Sequence, residues 1–142
     1  MRIHETYEVA AGDYQRAGEA SAAIKRVLRQ LGVSGPALRR MAVAAYEAEM
    51  NLVIHSLGGT LSLTVEPPVA SLESVDMGPG ISDIRKAMQE GFSTAGEHAR
   101  SLGFGAGMGL TNMQRNAATF SIDSGLGRGT SIRMTFDLFR AD

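Results

Sequence analysis

Ser34 to Ser56 constrains this chain most, because the segment is apolar nearly all the way round a helix. Ser34-Gly35-Pro36 supplies a capping hydroxyl and a proline near the first turn, and Gly58-Gly59 stops the run. At about 100° per residue, Leu38, Met41, Ala45, Ala48 and Leu52 cover one side. Val43, Tyr46, Met50, Val53, Ile54 and Leu57 cover most of the other. A helix coated in this way is a central, buried one, and its remaining polar direction is a narrow stripe of Arg40, Glu47, Asn51 and His55. With its flanks buried, that stripe is expected to face a pocket. The plainer reading of Glu47 and Asn51 is an ordinary surface pair one turn apart. Glu49 projects roughly 200° away from Glu47 and reads as structural or partner-facing, and His55 reads as a packing histidine.

Around this helix the pattern alternates between two periods. Ile3 to Val9 predicts a strand, and Gly12 to Leu31 a helix with Ala17, Ala20, Ile24, Val27, Leu28 and Leu31 on its inner face. Thr60 to Glu66 and Val69 to Asp76 predict two strands turned by Pro67-Pro68, a dipeptide that cannot continue a ladder. Thr111 to Ala118 predicts a helix, and Phe120 to Ser124 and Thr130 to Leu138 predict two further strands. The implied fold class is α+β: one domain over residues 1–142, a two-layer sandwich with a mixed, mostly antiparallel sheet and helices on one face. A composition of 44% hydrophobic and 20% charged residues is that of an ordinary globular chain.

Between Gly78 and Gly109 the chain changes character, holding eight of its 17 glycines. Ser82 to Gln89 is a candidate short helix, and residues 87–104 are small, polar and breaker-rich, as a mobile lid would be. Asp76-Met77-Gly78-Pro79-Gly80-Ile81 ends a strand with a carboxylate and then permits close backbone approach, an arrangement suited to accepting the exocyclic amine of adenine. Alone it is also a common turn. Gly103-Phe104-Gly105-Ala106-Gly107-Met108-Gly109-Leu110 alternates glycine four times and runs into a helix, offering successive N–H groups and a helix N-terminus to phosphates. Simple flexibility also explains alternating glycines, but it requires no helix start at Gly109. An Asn amide oxygen is a hard ligand that can hold Mg²⁺ against phosphates without adding charge, which suits Asn51. A carboxylate one turn earlier can deprotonate an attacking hydroxyl or water, which suits Glu47. Neither the P-loop nor the dinucleotide fingerprint is present, and the H-R-D and D-F-G elements of eukaryotic-type kinases are missing.

In order and spacing these boxes resemble the GHKL (histidine kinase-like, Bergerat-fold) ATPase superfamily. Glu47-Ala48-Glu49-Met50-Asn51 resembles its N box, Asp76-Met77-Gly78-Pro79-Gly80 its first glycine box, and Gly105-Ala106-Gly107-Met108-Gly109-Leu110 its second. Gly129-Thr130 resembles the closing glycine-threonine, whose hydroxyl supports adenine recognition. Glu47, Asn51 and His55 in one run, on a short chain, are similar to bacterial anti-sigma-factor serine/threonine protein kinases. The resemblance implies ATP and Mg²⁺ as cofactors, Glu47 as base, Asn51 as Mg²⁺ ligand and Asp76 as adenine anchor. It implies nucleotide contacts from Gly78, Gly80, Ile81, Gly105, Gly107, Met108, Gly109, Leu110 and Thr130, with Arg100 of the lid as a candidate γ-phosphate contact. The implied partners are a sigma factor and a small antagonist of the STAS type, phosphorylated on Ser or Thr.

Two other functions stay open at this level: a nucleotide-gated binding module without phosphoryl transfer, and the detached ATPase domain of a histidine kinase. A net charge of −1 gives no basic footprint for nucleic acid, although twelve of the fourteen cations are Arg. No run is long and apolar enough for a membrane span, the first residues lack a signal-peptide core, and there is no Cys, so a cytoplasmic protein is expected. An exposed first strand would allow a homodimer by edge pairing.

Overall fold

Leu61, Leu63 and Val65 alternate with Thr60, Ser62 and Thr64, and Ile132, Met134 and Phe136 alternate with Ser131, Arg133 and Thr135, so each strand has one dry face and one wet one. A computed structural model describes residues 1–76, 78, 109–125 and 129–139 of the chain, the His55 side chain excepted. Its elements in order are β1 (Ile3–Val9), α1 (Glu19–Gln30), α2 (Gly35–His55), β2 (Gly59–Glu66), β3 (Val69–Asp76), α3 (Gly109–Asn116), β4 (Thr119–Gly125) and β5 (Gly129–Asp137). The strands form one sheet in the order β1-β2-β3-β5-β4. Every pairing among the described residues is antiparallel, so the parallel component allowed for in a mixed sheet is not found there.

Register carries the dry face across the sheet in rows. Leu63 pairs with Leu72, Leu72 with Met134 and Met134 with Phe120. Onto those rows pack Ile24 and Leu28 of α1, Met41, Ala45, Ala48 and Leu52 of α2, and Leu110 and Met113 of α3. Each large side chain so buried contributes about 1.5–3 kcal/mol. The opposite face carries exposed Glu73, Ser131 and Arg133, so helices and core lie on one side only.

The central helix begins and ends where its punctuation predicts. Ser34 is the N-cap, its hydroxyl accepting the Ala37 N–H at 3.4 Å, with proline in the first turn. Its coat is less completely buried than the all-round pattern implies. Val43 and Tyr46 are 42% and 41% exposed, although the Tyr46 ring reaches to 4.0 Å of the Cβ position of Gly18, and Leu57, past the helix end, is exposed. Helix α1 also differs from the expectation: it starts at Glu19, not near Gly12. Gly12 and Gly18 both hold positive φ, 72° and 99°, and the Gly12 N–H is spent on the Val53 carbonyl at 2.7 Å, so residues before Glu19 turn instead of winding.

Glu49 explains how α1 can start there. Its N-cap, Gly18, has no side chain with which to cap. The Glu49 carboxylate, 2% exposed on α2, accepts instead from the N–H groups of Gly18 (3.0 Å), Ala20 (3.2 Å) and Ser21 (2.8 Å). An acid from one helix thus satisfies the orphan donors and the dipole of another. Glu49→Ala strands those buried donors and should lower stability by about 2–4 kcal/mol, with Glu49→Gln losing roughly half as much. Urea denaturation checks this, and a loss below about 0.5 kcal/mol for the Ala variant would remove Glu49 from the role of cap.

Candidate functional site

The C-terminal end of α2, the start of β2, the end of β3 and the start of β5 all meet at one end of the sheet. Gly59 pairs with Val9 on one side and Asp76 on the other. A Cβ on Gly59 would collide with the Val75 carbonyl and lie 2.8 Å from Asp76 Cα, so only glycine lets β2 pass the end of β3. The α2–β2 connection is tied to the segment after β3 by the Leu57 N–H donating to the Gly78 carbonyl at 2.8 Å.

Asp76 is fixed by backbone. Its Oδ1 accepts from the N–H of Gly78 at 2.8 Å and from the N–H of Thr130 at 2.9 Å, and no described residue donates to Oδ2. Gly129 makes this possible. With φ at 79°, a Cβ there would fall 2.8 Å from Asp76 Oδ1 and 3.0 Å from the Gly78 nitrogen, besides striking the Asp76 carbonyl. Thr130 is buried, and it meets Asp76 through its backbone N–H while its hydroxyl pairs with Ser124 Oγ at 2.7 Å. Ser124, which also donates to the Gly129 carbonyl at 3.2 Å, escaped the sequence reading because a serine at a strand end carries no spacing signal.

The second half of the site lies where α2 meets the start of α3. A Cβ on Gly109 would come within 3.2 Å of Glu47 Oε2 and 3.4 Å of Asn51 Oδ1. A side chain at this position would sit tightly against both groups, so the first turn of α3 lies close to the two polar side chains. Buried Leu110 and Met113 hold α3 in place, and Asn112 donates from Nδ2 to Glu47 Oε1 at 3.3 Å. Asn112 was absent from the sequence-derived set; its position one turn into a helix after a glycine box was the available signal. Burial, followed by the negative charges of Glu47 and Glu49, raises the Tyr46 phenol above its ordinary range.

Of the residues expected at the site, Glu47, Asn51, Gly109 and Leu110 come together at the α2–α3 seam, and Asp76, Gly78 and Thr130 at the sheet end. Gly80, Ile81, Arg100, Gly105, Gly107 and Met108 lie outside the described residues, as do the lid at 87–104 and the helix expected at Ser82 to Gln89. No group of three or more His, Cys, Asp or Glu residues suited to holding a metal ion occurs among the described residues. No helix among them is long and apolar enough to cross a membrane.

An antiparallel five-stranded sheet with helices on one face, an acid locked at a strand end and a Glu–Asn pair under a helix start are the arrangement expected of an ATPase domain of the histidine kinase-like type. The histidine kinase-like ATPase domain family matches residues 10–136, and the chain belongs to that family. It is similar to the serine/threonine-protein kinase RsbT of Bacillus subtilis, 32% identical over 113 residues covering 77% of this chain and 79% of that protein. It is also similar to the anti-sigma F factor of Bacillus subtilis, 31% identical over 128 residues covering 86% of this chain and 84% of the relative. The anti-sigma F factor of Thermoanaerobacter sp. (strain X514) is 37% identical over 97 residues, 65% of this chain and 64% of the relative. The resemblance to anti-sigma kinases read from the residues is thus borne out.

Gly129→Ala tests the backbone lock directly. Left-handed strain and the clash with Asp76 together should cost about 2–4 kcal/mol in chemical denaturation, whereas Gly12→Ala, which meets nothing within 4 Å, should lose only the strain contribution. Equal losses for the two variants would show that the Asp76 contact is not what restricts position 129.

Proposed function

We propose that this protein is a Mg-ATP-dependent serine/threonine kinase of the anti-sigma type, acting on a Ser or Thr of a small STAS-type antagonist and binding a sigma factor or similar regulatory partner. The observation that carries the reading is the approach of Gly109 to Glu47 Oε2 and Asn51 Oδ1 at 3.2 and 3.4 Å from its Cβ position. Binding alone needs no base, and the names of the relatives, a serine/threonine-protein kinase and anti-sigma factors, point the same way. The donor set fits the cofactors: an amide oxygen on Asn51 is a hard ligand for Mg²⁺, and the glycine-opened first turn of α3 leaves room for phosphate oxygens beside its N–H groups.

Bound Mg-ATP supplies the phosphoryl group and the charge neutralisation; the chain supplies position and proton transfer. Asp76, with Oδ1 held by two N–H donors, presents Oδ2 to the exocyclic amine of adenine. Glu47 is the base: Oε1 accepts from Asn112, which orients the carboxylate, and Oε2 takes the proton of the attacking hydroxyl. A homodimer paired through β1 is part of the proposal, supported by the place of that strand at the sheet edge. The cytoplasm is the compartment in which a sigma factor would be met.

Three variants separate binding from chemistry. Asp76→Asn keeps an acceptor for the Gly78 and Thr130 N–H groups but replaces Oδ2 with a donor, so it should fold normally and lose ATP binding in calorimetric titration. Asn51→Ala should lose the Mg²⁺-dependent part of ATP affinity. Glu47→Ala should bind Mg-ATP as the parent does and transfer phosphate about 10²–10⁴-fold more slowly. Unaltered transfer by Glu47→Ala would remove the base, and a parent chain that binds Mg-ATP and its partner without transferring phosphate would leave a nucleotide-gated binding module.

A further inference from the structure

The polar stripe of α2 does not end at the Glu–Asn pair. Arg40 lies seven residues before Glu47, which returns the helix to within about 20° of the same direction and sets the two residues about 10 Å apart along it. Where the α2–α3 seam continues past Asn112, Arg40 lines a cleft of about 250 Å³ with Arg115, Asn116, Ala117, Ala118, Phe136 and Asp137. Two arginines from different helices therefore line one hollow. The acid in its wall, Asp137, accepts at Oδ1 from the Phe139 N–H at 3.0 Å, and the Asn116 amide donates back to the Asn112 carbonyl at 2.7 Å. Arg40 and Arg115 each keep a contact within the chain, but a guanidinium carries five donors in a fork that suits carboxylates.

We infer that this cleft is a substrate-docking site for an acidic side chain of the phosphorylated protein. The inference rests on the kinase reading for Glu47 and adds a specificity to it. Extended chain advances about 3.3 Å per residue, so about 10 Å corresponds to three residues. The acceptor Ser or Thr at Glu47 would then carry Asp or Glu three positions away, its carboxylate between Arg40 and Arg115.

The test uses the ¹⁵N-labelled full chain, saturated with Mg-ADP, titrated with synthetic serine peptides carrying Glu three residues before or after the serine, and with their Gln and Lys counterparts. The Glu peptide should move the amide signals of Asn116, Ala117 and Ala118 and bind about fivefold more tightly than the Gln peptide, a difference that an ion pair in a half-open cleft can supply. Arg40→Glu with Arg115→Glu should abolish that preference and transfer it to the Lys peptide, a reversal that general loss of structure would not produce. Absence of shifts at those amides, or equal affinity for the Glu and Gln peptides, overturns the inference. Phosphorylation with Mg-ATP, followed by mass spectrometry, keeps the two readings apart. Preference without phosphate upholds the cleft and removes the kinase, while phosphorylation of the Glu and Gln peptides at equal rates removes the cleft and upholds the kinase.

Discussion

A carboxylate sealed inside a protein must have donors in place, and the buried acid of α2 finds three of them on one neighbouring helix. Glu49 turns what would be an uncompensated charge into the cap that α1 lacks, because Gly18 has no side chain and the chain before it is bent by positive-φ glycines. The docking of α1 and the direction of α2 follow from this one interaction. Two residues away, Glu47 points to the other side, toward α3. The central helix is thus held between its neighbours by two acids of opposite orientation, one consumed by structure and one presented to the site.

The site itself is built largely from backbone. Asp76 is oriented by two N–H groups, and the space it needs exists because Gly129 and Gly59 have no Cβ. Glu47 and Asn51 meet the first turn of α3 at a glycine for the same reason. Glycines serve here as positions of closest approach between elements, and this accounts for their concentration at one end of the sheet better than flexibility does. Such a site is preorganised: its polar atoms are held by strand and helix ends that the core already fixes.

Much of this was legible in the sequence, and for physical reasons. Strands β2, β3 and β5 declare themselves by period-2 alternation with one dry face, and α2 by its cap, proline and glycine stop. Glu47, Asn51 and Asp76 were readable because helical spacing and a strand-end acid constrain side-chain direction. What stayed hidden depends on contacts between distant segments. The start of α1 at Glu19 rests on left-handed glycines and on Glu49, more than two dozen residues later in the chain. Asn112 and Ser124 act through partners from other elements, and the exposure of Val43 and Tyr46 reflects which sides of α2 the neighbouring helices cover.

The angular separation of Glu47 and Glu49 on α2 has a consequence for how such a helix can change length. One residue inserted between Ala45 and Glu47 keeps both acids in step with each other but turns them by about 100° relative to Met41 and Ala45, so the acids and that part of the core cannot both be seated. An insertion between the acids breaks their mutual phase and leaves either α1 uncapped or the Glu47 carboxylate aimed into packing. The helix behaves like a keyed shaft, closed to insertion or deletion. Length variation among proteins sharing this arrangement must collect in the connections before Gly35 and after His55.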